Sequence, residues 1–261
     1  MISNKAIVGL IAYILVLGIA EISISYYSPV LGIVTHLILM FFLIYYSSIV
    51  ENKEKSNFLM ALALPSLLRI ISTSIPLIVL SDTAIIQFFI IYIPLLAAAF
   101  LLIRSQNLTM QDVGLITKKI YLQLIIATTG LSFGLIEFFI LKGEIHPIET
   151  VNFAEILIYA AIMIIFTGLT EELIFRGILL SRTYVFFGTD KKIYCIIFIS
   201  VIFMLLHTGW KSIIDLIFVF LVSVFYCIMF LKTKSIVGIS MSHGIINIML
   251  FIVLPIVYSS G

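Results

Sequence analysis

Charge is scarce in this chain. Aspartate, glutamate, lysine and arginine make up 11% of its 261 residues, 62% are hydrophobic, and the mean hydropathy is +1.28. A soluble globular domain carries roughly 25% charge and about 45–50% apolar residues. The deficit runs along the whole length, which excludes a soluble domain on one anchor and marks a chain whose solvent is lipid. A basic surplus is missing as well. The net charge is +2 and no basic run carries interleaved aromatics, so no nucleic-acid partner is expected. Cys195 and Cys227 both sit inside apolar runs, outside any CxxC spacing, and read as small lipid-buried side chains, not as a disulfide framework. Long linkers, low-complexity tracts and internal repeats are also absent, and with them the signature of a transporter built from two related halves.

What is present is a series of apolar runs. Crossing the hydrocarbon takes about 20 mostly apolar residues. Residues 6–26, 30–50, 58–80, 84–103, 120–141, 153–180, 193–206, 212–231 and 235–257 qualify, the seventh being short. They predict an all-α polytopic bundle of about eight to nine spans, nine being the central count. The first run imitates a signal peptide, with Lys5 ahead of it and Gly18-Ile19-Ala20 resembling a cleavage site. Its apolar character continues through Tyr26 with only Glu21 intervening, so it is read as a span. Alternate loops carry Lys5, then Lys53 and Lys55, then Arg104, Lys118 and Lys119, then Arg182, Lys191 and Lys192, then Lys232 and Lys234. The opposite loops carry only Lys142 and Lys211. This places the N-terminus in the cytoplasm and the C-terminus on the far side. Residues 104–119, the longest polar stretch, read as a segment lying on the cytoplasmic leaflet.

Each ionisable group at mid-bilayer costs about 2.5–3.5 kcal/mol on insertion scales, so it must pair, neutralise or line water. Glu155 and Asp215 lie near span ends and can reach the interface. Glu21, Arg69 and Glu137 stand singly, and packing or interhelical pairing accounts for them. Glu171 and Glu172 differ, being adjacent inside the sixth run and followed by Arg176. Glu172 and Arg176 share a helix face at i, i+4, and Glu171 is rotated about 100° away from it. One guanidinium needs one carboxylate, and the second is left over. Two carboxylates so close in low dielectric are how a general base near neutrality is made.

His207 closes the seventh run, and His243 lies in the ninth with Asn247 one turn on. A lone histidine on an apolar helix is more often a hydrogen-bonded packing residue, and such an asparagine more often an interhelical hydrogen bond. Coincidence of position argues further. The turn at Gly188-Thr189-Asp190 would fold runs six and seven into a hairpin in which Glu171 and His207 lie equally far from Thr189. His243 falls about nine residues, or ~13 Å, into its own span. All three reach the middle of the bilayer.

Glu171-Glu172-Leu173-Ile174-Phe175-Arg176-Gly177 has the form EExxxRG, Phe203 to His207 the form FxxxH, and His243 to Asn247 the form HxxxN. In that order they resemble the CPBP family, the type II CAAX prenyl endopeptidases and bacteriocin-processing or immunity proteins. Lys234-Ser235-Ile236 leading into Ser242-His243 resembles the family's third motif region. The resemblance covers about residues 153–254, and no motif position departs from the pattern. It implies a catalytic helical core at residues 151–261, with residues 1–150 as accessory helices. It also implies a glutamate-type intramembrane peptidase without a metal. Glu171 and His207 would activate water, His243 and Asn247 would stabilise the oxyanion, and Glu172, Arg176 and Phe203 would support the site. Elementary chemistry permits this, since amide hydrolysis needs a base for water and donors for developing charge. Losing one oxyanion donor costs about 2.7–4 kcal/mol, a hundred- to thousand-fold.

Other readings stay open on the residues alone. Two histidines and a glutamate could bind zinc, although HExxH is absent and the histidines come from different spans. A membrane immunity or scaffold protein that binds a peptide would need no chemistry from Glu171. Seryl and aspartyl proteases fit worse, because there is no GxSxG and Asp215 lies too near a span end. The expected partners are the bilayer and a membrane-associated peptide or protein. The Ile-, Phe- and Lys-rich composition points to an AT-rich bacterial genome and so to a prokaryotic plasma membrane.

Overall fold

The structure is a computed structural model that describes residues 4–78, 84–117, 119–145 and 152–259. Among them are nine long helices and no strand. They are α1 (Asn4–Ile22, continued by a π turn over Ser23–Tyr27), α2 (Pro29–Ile49), α3 (Lys53–Ile78) and α4 (Ala84–Ser105). Then come α5 (Ile120–Leu141), α6 (Phe153–Phe187), α7 (Lys192–Leu205), α8 (Ile213–Thr233) and α9 (Val237–Tyr258). Eight are long and apolar enough to cross a membrane, and the chain is an integral multi-pass membrane protein. The exception is α7, whose 14 residues extend ~21 Å against a hydrocarbon thickness of ~30 Å. Lys118, one of the loop cations, lies outside the described residues, as do the last two residues of the run expected at 58–80.

The helix boundaries have local causes. Ser28 is extended (φ −152°, ψ 116°), its hydroxyl accepts from Leu31 N, and Pro29 occupies the first helical position, so α2 starts sharply. At the start of α6, Asn152 and Glu155 form a reciprocal capping box, which gives Glu155 an interfacial structural task. Gly188 ends the same helix at φ +89°, a conformation open to glycine, and the expected turn follows over Thr189–Lys191.

The chain forms two compact units, each made of two stretches: Met1–Ile78 with Ile178–Cys227, and Val79–Gly177 with Ile228–Gly261. In the first unit α1 is an integral helix. It buries Tyr13, Leu17 and Ala20, and the Tyr13 hydroxyl donates to Leu62 O at 3.0 Å. Phe58 stacks on Phe186 at 4.7 Å between ring centroids. Cys195 and Cys227 are buried and not joined in a disulfide. Asp215 departs from expectation. It is fully buried in the first turn of α8, and neither carboxylate oxygen has a hydrogen-bond partner among the described residues. The positive end of the α8 dipole is its compensation, in place of the interface.

The second unit is organised by α5, α6 and α9, which approach closely at glycines. A Cβ placed on Gly168 would stand 2.5 Å from Ser240 O, and one on Gly244 2.6 Å from Ile164 Cα. A Cβ on Gly130 would meet Ser242 O at 2.3 Å. Small residues let backbones touch where lipid supplies no hydrophobic drive between helices. Part of the polar 104–119 stretch is pinned into this unit and does not simply lie on the leaflet. Val113 is fully buried, and Gly114 O accepts from Ile236 N at 2.9 Å. A Cβ on Gly177, the glycine of EExxxRG, would stand 2.8 Å from Val113 O.

Candidate active site

In the second unit the middle of α6 departs from regular α geometry. Met163–Leu169 and Leu173–Leu180 are π-helical and flank Thr170–Glu172. Such widened turns re-aim side chains and are frequent at functional sites. Glu171 and Glu172, which a regular helix would point about 100° apart, both come to one imidazole. His243 of α9 holds its Nδ1 2.9 Å from Glu172 Oε1 and its Nε2 3.8 Å from Glu171 Oε2. The close approach at Gly168 and Gly244 is what brings the two helices within that reach.

Glu172 is doubly engaged, because Arg176 Nη1 donates to the same Oε1 at 2.8 Å. Glu172 and Arg176 are fully buried, and Glu171 is 9% exposed. A carboxylate oxygen can only accept, so His243 Nδ1 carries the proton in this bond, which fixes the ring orientation. Glu171 Oε1 in turn accepts from the Tyr92 hydroxyl of α4. One turn beyond His243, Asn247 Nδ2 donates to Thr167 Oγ1 at 2.9 Å. The amide thereby presents one hydrogen to Thr167 and keeps a second with a fixed direction. This unit hydrogen-bonds Glu172, Arg176 and His243 into one group, with Glu171 facing the same imidazole at 3.8 Å and Asn247 one helical turn along.

His207 belongs to the other unit. Its Nδ1 lies 2.8 Å from the Phe203 carbonyl, and the two rings are 4.8 Å apart. The carbonyl can only accept, so Nδ1 is again the protonated nitrogen and Nε2 the basic one. The FxxxH spacing is thus one main-chain hydrogen bond across a helical turn. The same unit holds a second buried polar group that pairs two charges expected to stand singly. Arg69 Nε donates to Glu21 Oε1 at 2.7 Å, and His36 Nε2 lies 3.1 Å from the same oxygen.

Tyr92, Thr167 and His36 were not singled out from the sequence. Tyr92 is one of 12 tyrosines, and a threonine in an apolar run is ordinary, so neither gives a linear signal. His36 is different. As one of four histidines, and within a span, it was open to the reasoning applied to His207 and His243. Among the described residues no three His, Cys, Asp or Glu side chains are disposed to hold a metal ion.

No curated protein and no solved structure matches the chain. Residues 153–249 match a family model, type II CAAX prenyl endopeptidase Rce1-like. That stretch contains all three motifs and every residue of the α6–α9 group except Tyr92. Over residues 153–249, therefore, the chain is similar to the Rce1-like type II CAAX prenyl endopeptidases.

Proposed function

We propose that the chain is an intramembrane endopeptidase that cleaves a peptide bond of a membrane-associated peptide or protein with an activated water and no resident metal. The observation that carries this reading is His243 held between Glu172 and Glu171, with Asn247 one turn along and Glu171 left with an oxygen for water. Glu171 is the base, and His207, presenting a basic Nε2, is its partner in taking the proton from water. His243 and the second hydrogen of Asn247 are the donors to the tetrahedral oxyanion. His243 donates from Nε2 as the doubly protonated ring, which Glu172 and Glu171 flank. Glu172 with Arg176 holds α6 and the imidazole in place.

The substrate we favour is a small secreted or signalling peptide or a leader of the bacteriocin type in a prokaryotic plasma membrane. A protein ending in a prenylated CAAX box is the substrate the family description names. The test compares membrane peptidomes of cells carrying the wild-type chain, Glu171→Gln, or no gene. A peptide that accumulates uncut in both deficient strains identifies the substrate, and an unchanged peptidome refutes the reading. Purified protein held in a strong chelator should retain its rate. Loss of activity that added zinc restores would transfer the assignment to a metal hydrolase. An immunity phenotype that survives both Glu171→Ala and His207→Ala would identify a binding protein instead.

A further inference from the structure

The buried polar group of the first unit ends on the residues either side of His207. Arg69 lies midway along α3, and its guanidinium reaches the end of α7, where Nη2 donates to Leu206 O. Leu206 caps α7, and the last four carbonyls of a helix have no partner within it and carry the negative end of its dipole. On the other side of the imidazole, Thr208 Oγ1 lies 3.5 Å from Glu21 Oε2 and 3.1 Å from Ser25 Oγ. Glu21 therefore touches both the Arg69 side chain and Thr208, and His207 sits between two anchored neighbours. His36, fully buried on α2, closes the group, with Nε2 on Glu21 and Nδ1 3.3 Å from Ser66 Oγ.

Packing alone gives little reason for this arrangement. A buried ion pair is often replaced by apolar residues without loss of stability, so its presence calls for a task. The formal charges of Glu21 and Arg69 cancel, as a lipid environment requires. What distinguishes the pair is its destination, a helix terminus that ends at a histidine whose tautomer is already set by Phe203 O. A basic nitrogen takes a proton from water only if it is held in direction, and misplacement by about 1 Å can cost a hundred-fold in rate.

We infer that Arg69, held by Glu21, is a positioning residue for His207, the pair gripping the chain on both sides of that imidazole, Arg69 at Leu206 and Glu21 at Thr208. The inference rests on the proposal that His207 acts in peptide hydrolysis, and its test separates the two. Full-length protein with nitrogen-15-labelled histidine is placed in lipid nanodiscs, and the His207 ring signals are assigned by their loss in His207→Gln. The wild type is expected to show one tautomer, protonated at Nδ1. Arg69→Gln is expected to show both tautomers or exchange-broadened signals, with Arg69→Lys recovering the single form. Glu21→Gln, which keeps an acceptor for Arg69, serves as the milder variant should Arg69→Gln fail to insert, and is expected to blur the signature partway. The rate is read on a quenched farnesylated peptide ending in cysteine, two aliphatic residues and a terminal residue. Arg69→Gln should lower kcat about ten- to a hundred-fold with KM within about two-fold, and should add no further loss to His207→Ala. An unchanged His207 signature in both variants, or losses that multiply with that of His207→Ala, would overturn the inference. A wild type that cleaves neither this peptide nor any candidate from the membrane peptidome, while Arg69→Gln still disturbs the ring, would sink the peptidase reading and leave the grip on His207 standing.

Discussion

Adjacent glutamates in a membrane helix invite the view that they share one role, but their partners separate them. Glu172 Oε1 carries both the Arg176 guanidinium and His243 Nδ1, whereas Glu171 accepts from Tyr92 and faces His243 at 3.8 Å. Glu172→Gln strands a buried guanidinium and should destabilise the protein by about 3–5 kcal/mol. It is expected to show as a lower melting temperature and poor recovery of inserted protein. Glu171→Gln keeps an acceptor for Tyr92, so the melting temperature should hold while cleavage disappears. Equal destabilisation by the two changes would mean that Glu171 is structural as well. Tyr92→Phe removes one hydrogen bond to a charged group, worth about 1.5–3 kcal/mol. A fall in kcat/KM of about ten- to a hundred-fold is expected, measured on the peptide identified from the peptidome. The motif spacing exposed the Glu172–Arg176 pair, because i, i+4 is a contact written into the chain. It could not expose Tyr92 on Glu171, a contact between residues 79 positions apart with no pattern to announce it.

At the scale of elements, the site depends on how closely α6 and α9 approach. Gly168 and Gly244 lie within four residues of Glu172 and beside His243, and each would place a Cβ against backbone of the facing helix. Alanine at either position must push the helices apart and should cost at least about 1–3 kcal/mol. The His243–Glu172 bond would lengthen with it, so activity should fall at a temperature where the variant remains folded. Gly9→Ala on α1 is the control. Nothing lies within 4 Å of its Cβ, and replacing a helical glycine by alanine should be neutral or stabilise by up to about 1 kcal/mol. Thermal denaturation in one lipid system orders the three variants, and a Gly168→Ala protein as stable as Gly9→Ala would contradict the account. Hydropathy made nearly every helix legible, because a span must be apolar for some twenty residues whatever it packs against. The π-helical turns around Thr170–Glu172 were not legible. They arise from the fit of α6 to its neighbours, and a hydrophobic run looks the same with or without them.

For the whole molecule, three lysine–tyrosine contacts bear on how many times the chain crosses. Lys55 Nζ lies 4.9 Å from the Tyr46 ring centre, Lys211 5.6 Å from that of Tyr26, and Lys142 4.6 Å from that of Tyr258. Lysine and tyrosine gather at the membrane–water boundary, and a contact between them puts both on one face. Tyr26 follows α1 and Lys211 follows α7, so six helices separate them, an even number that returns the chain to the same side only if α7 is counted. Its 14 residues are too few for the hydrocarbon alone, and the 3₁₀ turn Thr208–Trp210 follows it before Lys211. Lys142 and Tyr258 are separated by four helices, and Lys55 and Tyr46 share one loop and its flanks. The topology expected, and tested next, is nine crossings with the two termini on opposite faces. The lysine and arginine bias then sets the sign. Single cysteines replacing Lys53 or Lys232 should react with a membrane-impermeant maleimide only in inverted vesicles, and those replacing Lys142 or Lys211 only in intact cells. The native thiols at Cys195 and Cys227 are buried and contribute little background. Reaction at positions 53 and 211 from the same side would remove α7 from the crossings, and with it the depth assigned to His207.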